Sequence, residues 1–309
     1  MTDVVLVTGA TGTVGRHVVT ALADRDVVVK SAVRDPDAVP RTVTDAGDVV
    51  AFDFAKPETW GAALADADGV FLMRPPVVSE SDVGSFVEAA ARVGVGRVVY
   101  LSALGAKKNV LIPHHRIEKR VAESGIEYTL LRASFFMQNL SEVHRRDVVE
   151  RDEIFVPAGR GKTSFVDARD VAEAGAVALT ESGHAGRAYD LTGGEAVDYE
   201  AVADIFSDVL GRSITYPNPS LASFARRMYG RGNSLGFVAL MCGIYTTARL
   251  GLADRVSEDS RHLLGRTPRT MRAFVEDYAD DFRVDSRLHE KTRKRNRPAA
   301  ERFSPERYM

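Results

Sequence analysis

A chain of 309 residues, 45% hydrophobic and 27% charged, has the composition of a globular protein with room for a large core. Its formal net charge of −2 at pH 7 supplies no general attraction for nucleic acid or an anionic membrane, and its lone cysteine, Cys242, excludes an intramolecular disulfide and a Cys-rich metal site. No apolar run reaches the roughly 18–20 residues that span a bilayer, and a strand pattern begins almost at once with no signal segment before it, so a cytoplasmic protein is expected.

Val4-Val5-Leu6-Val7 is apolar on both faces, as a strand inside a parallel sheet must be. Gly9, Gly12 and Gly15 follow at three-residue spacing, and Val14, Val18, Val19 and Leu22 then recur with helical period. Strand, glycine turn and helix, in that order, form the context of a dinucleotide fingerprint. Gly9 serves the tight turn, Gly12 lets backbone approach a pyrophosphate, and Gly15 lets the helix pack closely on the strand. Thr11, Thr13 and Val14 complete the expected cofactor loop, whose helix-leading N–H groups supply the anion site.

Val27–Val33 predicts a second buried strand, ending at Arg34-Asp35. An acid at this strand end binds the ribose hydroxyls of NAD, whereas an arginine accepts the 2′-phosphate of NADP. Arg34 comes first, which favours NADP (NADPH) and leaves NAD possible; a solvated turn arginine is the plainer alternative. A third strand, Val49–Phe52, is closed by Asp53 and Phe54, a carboxylate for the adenine amine and an aromatic beside the ring, or else turn chemistry. After a helix over 57–64 and a fourth strand, Gly69–Met73, the stiff run Arg74-Pro75-Pro76 is suited to wall a cofactor cleft. A helix over 81–93 leads to a fifth strand, Arg97–Ser102. Pro113 opens a helix that stops at Ser124-Gly125. Glu127–Arg132 is the sixth strand, and 133–139 leads into a helix.

This alternation predicts an α/β fold, a doubly wound parallel sheet of Rossmann type with a smaller, mostly helical C-terminal region. Right-handed crossovers bring Gly9, Arg34, Asp53, Arg74 and Ser102 to one edge of that sheet. Residues 1–150 are assigned to the dinucleotide-binding domain, with 165–192 returning to it through a helix after Asp167 and a strand at 187–191. Residues 153–166 predict a short strand pair joined through Gly159-Arg160-Gly161. Helices over 198–210, 220–230, 235–251, about 256–264 and 268–282 form a substrate or lid region within 193–282. Residues 283–309, with the basic run Lys291–Arg297, read as a disordered tail; contact with nucleic acid or phospholipid is the sharper alternative.

Several stretches together resemble the NmrA-like family, atypical members of the short-chain dehydrogenase/reductase superfamily. They are Val7-Thr8-Gly9-Ala10-Thr11-Gly12, Val33-Arg34, Tyr100–Gly105, Ser124–Arg132 and Phe135-Phe136-Met137-Gln138-Asn139, with Phe165–Ala172 and Leu264–Pro268. The likeness spans roughly 3–282. It implies NAD(P) binding by the N-terminal domain, in a family of quinone and azo reductases, reductases of plant phenolics, and cofactor-binding redox sensors.

The wider superfamily commonly holds a carbonyl with a serine and protonates it from a Tyr-x-x-x-Lys pair. No Tyr-x-x-x-Lys follows Ser102 here. His115 and Lys119 lie four apart on one helix face, 13 residues beyond Ser102, so Ser102, His115 and Lys119 are the candidate catalytic set, with His115 as proton donor. His114 competes for that role, because related phenolic reductases carry a lysine near this position; both histidines could also be surface residues. A conjugated acceptor needs no dedicated acid, only positioning and flat apolar walls, for which Phe135, Phe136, Met137 and Pro75-Pro76 are candidates. The expectation is an NAD(P)H-dependent oxidoreductase acting on a small carbonyl, quinone or other conjugated acceptor, as monomer or homodimer, without metal, nucleic acid or membrane. The alternative is a non-catalytic NAD(P)-binding redox sensor that acts through protein partners. An epimerase fits less well, since it uses the tyrosine pair directly.

Overall fold

The computed structural model describes residues 3–283; the basic run 291–297 and the tail beyond Arg283 lie outside the described residues. Seven parallel strands form one sheet: β1 (Asp3–Thr8), β2 (Val27–Val33), β3 (Asp48–Ala51), β4 (Gly69–Met73), β5 (Arg97–Ala103), β6 (Glu127–Ala133) and, later in the chain, β8 (Arg187–Leu191). Their order is β3-β2-β1-β4-β5-β6-β8. The chain reverses direction across the sheet between β1 and β4, the point where open α/β sheets leave a ligand crevice. Thr8 fastens that point: its hydroxyl donates to the Phe71 carbonyl (3.0 Å) and accepts from the Met73 N–H (2.8 Å).

The apolar runs of the central strands β1, β4 and β5 are buried on both faces because helices cover both. On one face Val14, Val18, Val19 and Leu22, around helix Gly15–Ala23, pack with the alanine-rich helix Ala168–Thr180 over Val5, Val7, Phe71 and Leu131. On the other, helices Glu80–Val93 and Pro113–Glu123 cover Leu6, Leu72, Val98 and Tyr100. A second core gathers Met137, Leu140, Phe165, Tyr199, Phe206, Phe224, Tyr245, Phe274 and Phe282.

Two expectations change. Residues 153–166 do not pair with each other. β7 (Lys162–Thr163) instead runs antiparallel to β9 (Val197–Asp198), and Glu153 bridges to Thr215. The helical stretch expected over 268–282 begins at Met271 and breaks at Tyr278, giving Met271–Asp277 and Ala279–Phe282.

A histidine is sealed against the second core. His144 is 0% exposed; its Nε2 lies 2.5 Å from the Tyr245 hydroxyl, and its Nδ1 has no partner. Burial pushes its pKa down to about 4, against a smaller upward pull from Asp147. The unfolded chain therefore binds a proton near pH 6.5 that the folded chain refuses until about pH 4, so stability falls as pH drops through that window. Between pH 7 and pH 5 this group alone should remove about 2 kcal/mol. Urea unfolding at the two pH values measures the loss, and His144→Gln should give a shallower acid slope.

Candidate dinucleotide site

The C-terminal end of β1 carries the glycine turn, beside the end of β4. Gly9 has φ +65°, a left-handed conformation that favours glycine, and its carbonyl accepts from the Gly12 N–H at 2.9 Å. A Cβ on Gly15 would lie 2.0 Å from the Gly9 carbonyl oxygen, so only glycine lets the helix start this close to the strand. A Cβ on Gly12 would lie 3.2 Å from the same oxygen and 3.4 Å from Met73 Cε. The helix that follows has no side-chain cap and no acid in its first turn. Its leading N–H groups are thus free of a competing carboxylate from their own helix, which suits an anion such as a pyrophosphate. Thr11 is exposed, whereas Val14 is buried and can offer only its backbone. The Thr13 hydroxyl donates to Glu142, 2.7 Å from Oε2, and Arg16 pairs with the same carboxylate at 3.5 Å. Glu142 therefore ties the glycine loop to helix Asn139–Glu142.

Arg34, at the end of β2, is exposed and makes no hydrogen bond or ion pair with the described residues. Asp53 folds back on its own turn, accepting from the Ala55 N–H at 2.9 Å. Phe54 does not face the cleft. It is 4% exposed and packs edge-on against Phe52 and Phe86, with centroids 4.8 and 5.4 Å away, because the core claims the ring. Arg74 follows β4, donates to the Pro76 carbonyl at 3.2 Å and keeps a buried Nε without a partner. Pro75 is half-buried beside it.

The expected set Ser102, His115 and Lys119 is not assembled. Ser102 is 4% exposed, and its hydroxyl donates to Glu118 Oε1 at 2.5 Å, inside a network that Arg132 completes. Its hydroxyl hydrogen is thus engaged within the protein. His115 Nδ1 meets the Ala106 carbonyl at 2.9 Å. The Lys119 side chain is 70% exposed and pairs with Glu123. The physical reason is helix phase: Ile117, Glu118 and Val121 face inward, so 115 and 119 fall on the outer side.

The histidine turned inward is His114. Its Nδ1 lies 2.7 Å from the hydroxyl of Tyr100, which is 0% exposed on β5. Burial first, and the Arg74 charge second, push the His114 pKa down to about 4, leaving the ring neutral at pH 7. Nε2 makes no hydrogen bond to the described residues and remains in contact with solvent. Tyr100 and Glu118 were not singled out from sequence. A carboxylate at an inward helix position, beside Ile117 and Val121, was the signal available for Glu118.

Phe135 and Phe136 are half-buried beyond β6, with Phe135 5.7 Å from the Tyr245 ring. Met137 instead lines a cavity of about 230 Å³ with Phe165, Val197 and Met271. Among the described residues, no three His, Cys, Asp or Glu side chains converge on a metal-sized site, and no helix is long and apolar enough to cross a membrane.

Residues 1–275 match the model of the NmrA-like family. The chain is 31% identical over 283 residues to the NAD(P)H azoreductase of Xenophilus azovorans, covering 90% of this chain and 99% of that one. A crystal structure of the NADPH-dependent quinone oxidoreductase of Escherichia coli complexed with NADPH superposes with TM-score 0.78 at 26% identity, over 89% of this chain and 99% of that one. The triphenylmethane reductase of Citrobacter, solved with NADP(H), shares the fold with TM-score 0.77 at 24% identity, over 88% and 99% of the two chains.

Proposed function

The chain belongs to the NmrA-like family, and from that premise we propose that it is an NADPH-dependent reductase of a small conjugated acceptor, a quinone or an azo compound. The observation that carries this reading is the glycine turn at the β1–β4 crevice, with the Gly15 position closed to any side chain and an unengaged arginine on the neighbouring strand. The azo and quinone reductases that match almost end to end support the acceptor class.

NADPH, when bound, supplies a hydride. The backbone at Gly12 to Gly15 would receive its pyrophosphate, and Arg34 its 2′-phosphate, with Thr11 and Thr13 at the rim and Arg74-Pro75 on the far wall. His114, neutral at pH 7, offers Nε2–H as a hydrogen-bond donor to the oxygen or nitrogen on which charge develops. A neutral imidazole holds such an atom without protonating it, and for a conjugated acceptor the anion is stabilised enough for water to supply the proton. Half-buried Phe135 and Phe136 give a flat ring apolar surface to lie against.

A redox-sensing role without turnover draws support from one observation: Ser102 and Lys119 both have other partners, so no serine–lysine machinery stands ready. NADPH oxidation measured against a panel of quinones and azo dyes separates the two. Steady turnover with at least one acceptor is expected; tight NADPH binding with no turnover on any would move the chain to the sensor reading. Arg34→Ala should raise the KM for NADPH about tenfold, the worth of one charge-assisted phosphate contact, and leave that for NADH unchanged.

A further inference from the structure

We propose that Tyr100 is a positioning residue that fixes the tautomer of His114: its buried hydroxyl donates to Nδ1, so the only hydrogen on the imidazole sits on Nε2 and faces the acceptor. The inference rests on the reductase reading above but is measurable without it.

Hydrogen-bond bookkeeping at a sealed position leads to it. Tyr100 is 0% exposed, and its hydroxyl has a single partner among the described residues, His114 Nδ1 at 2.7 Å. Either atom could donate in isolation. Were Nδ1 the donor, however, the phenol hydrogen would need a second acceptor, and the described residues offer none; a buried hydroxyl left unpaired is costly. The phenol therefore donates and Nδ1 accepts, which places the ring hydrogen on Nε2. That nitrogen makes no bond to the described residues and keeps contact with solvent.

The surroundings hold both partners in these forms. Burial drives the tyrosine pKa far above its ordinary value, with the nearby Arg74 charge only partly opposing it, so the phenol keeps its proton. Burial and the Arg74 guanidinium, from the end of β4, both disfavour the imidazolium. Glu118, one turn further along the helix, pulls the other way, but its oxygens are taken by Arg132 and Ser102. Because Tyr100 cannot release its proton, no relay runs through the pair. Nε2–H stabilises the developing anion by a hydrogen bond, no bond to hydrogen is broken in the protein, and the proton that completes reduction comes from solvent.

Tyr100→Phe keeps the ring volume and removes only the donor. In the full chain labelled with ¹⁵N-histidine, the His114 signal (assigned by its loss in His114→Gln) is expected to report the neutral Nε2–H form at pH 7. In Tyr100→Phe it should become a mixture of tautomers. With the best acceptor, kcat of Tyr100→Phe should fall about tenfold while the KM for NADPH stays within twofold, and wild-type kcat should be flat from pH 6 to 8. An Nδ1–H or charged His114 in the wild type, or an unchanged tautomer and kcat in Tyr100→Phe, would overturn the assignment. A wild-type chain without turnover would overturn the reductase reading instead, and the ¹⁵N measurement would still decide what Tyr100 does.

Discussion

Replacing Glu118 with alanine is expected to lower the unfolding free energy by about 3–5 kcal/mol, because it strands a buried charge. Glu118 is 6% exposed. It accepts from Arg132 through both oxygens, Nε to Oε1 at 2.9 Å and a terminal nitrogen to Oε2 at 2.7 Å, and from the Ser102 hydroxyl. One side chain on helix Pro113–Glu123 is thereby bonded to β5 and β6 together. Its hydrogen bond is the main reason the Arg132 pKa is raised. Removing the carboxylate leaves a guanidinium, 12% exposed, without its ion-pair partner, and a serine hydroxyl without its acceptor. Urea unfolding should show the midpoint falling with little change in slope. The double variant Glu118→Met with Arg132→Met should recover most of the loss, since a buried ion pair is worth little more than apolar packing of the same size. A double variant as unstable as the single one would show that the helix needs the charges themselves. Ser102→Ala should cost far less, about 1 kcal/mol, as it deletes one donor and leaves the ion pair intact.

The same network explains which parts of the molecule could be read from sequence. Strands β1, β2, β4, β5 and β6 were legible because helices cover both faces of the sheet, which forces continuous apolar runs such as Val4–Val7 and Val70–Leu72. The glycine turn was legible because each glycine answers to a separate steric demand. The glycines at 159 and 161 misled for a related reason. A Cβ on Gly161 would lie 1.8 Å from the Ala248 carbonyl, so that residue admits the end of helix Leu235–Arg249 rather than closing a hairpin. In the candidate catalytic region, spacing within the superfamily selected Ser102 and His115, but spacing does not report helix phase. Ile117 and Val121 did report it: three residues before Ile117 is His114, and the carboxylate between them shares the inward side. Tyr100 could not be found that way. A tyrosine in a buried strand looks like core until a neighbour supplies a nitrogen for its hydroxyl.

Gly15→Ala is expected to weaken NADPH binding by about a hundredfold and to cost about 1–3 kcal/mol of stability, the penalty for overpacking a close contact. The added methyl would lie 2.0 Å from the Gly9 carbonyl oxygen, 2.6 Å from its carbon and 3.0 Å from Ala10 Cα. All three are backbone atoms, so no rotamer change relieves the clash; the helix start must move away from the turn. That movement displaces the leading N–H groups from the position in which Gly9, with φ +65°, holds the loop. Gly12→Ala separates the two consequences. Its Cβ would meet only the Gly9 oxygen at 3.2 Å and the flexible end of Met73 at 3.4 Å, so the fold can absorb it by a small shift. The methyl would nonetheless stand where backbone must approach a phosphate. Binding in Gly12→Ala should therefore fall at least tenfold while the unfolding midpoint barely moves. Gly61→Ala, inside helix Trp60–Leu64 with nothing within 4 Å of the new atom, should leave binding unchanged and raise the unfolding midpoint slightly, so it serves as the reference for the binding titration. Fluorescence titration with NADPH and urea unfolding on the wild type and the three variants give the comparison. Equal binding by Gly12→Ala and the wild type would remove the glycine turn from the cofactor site.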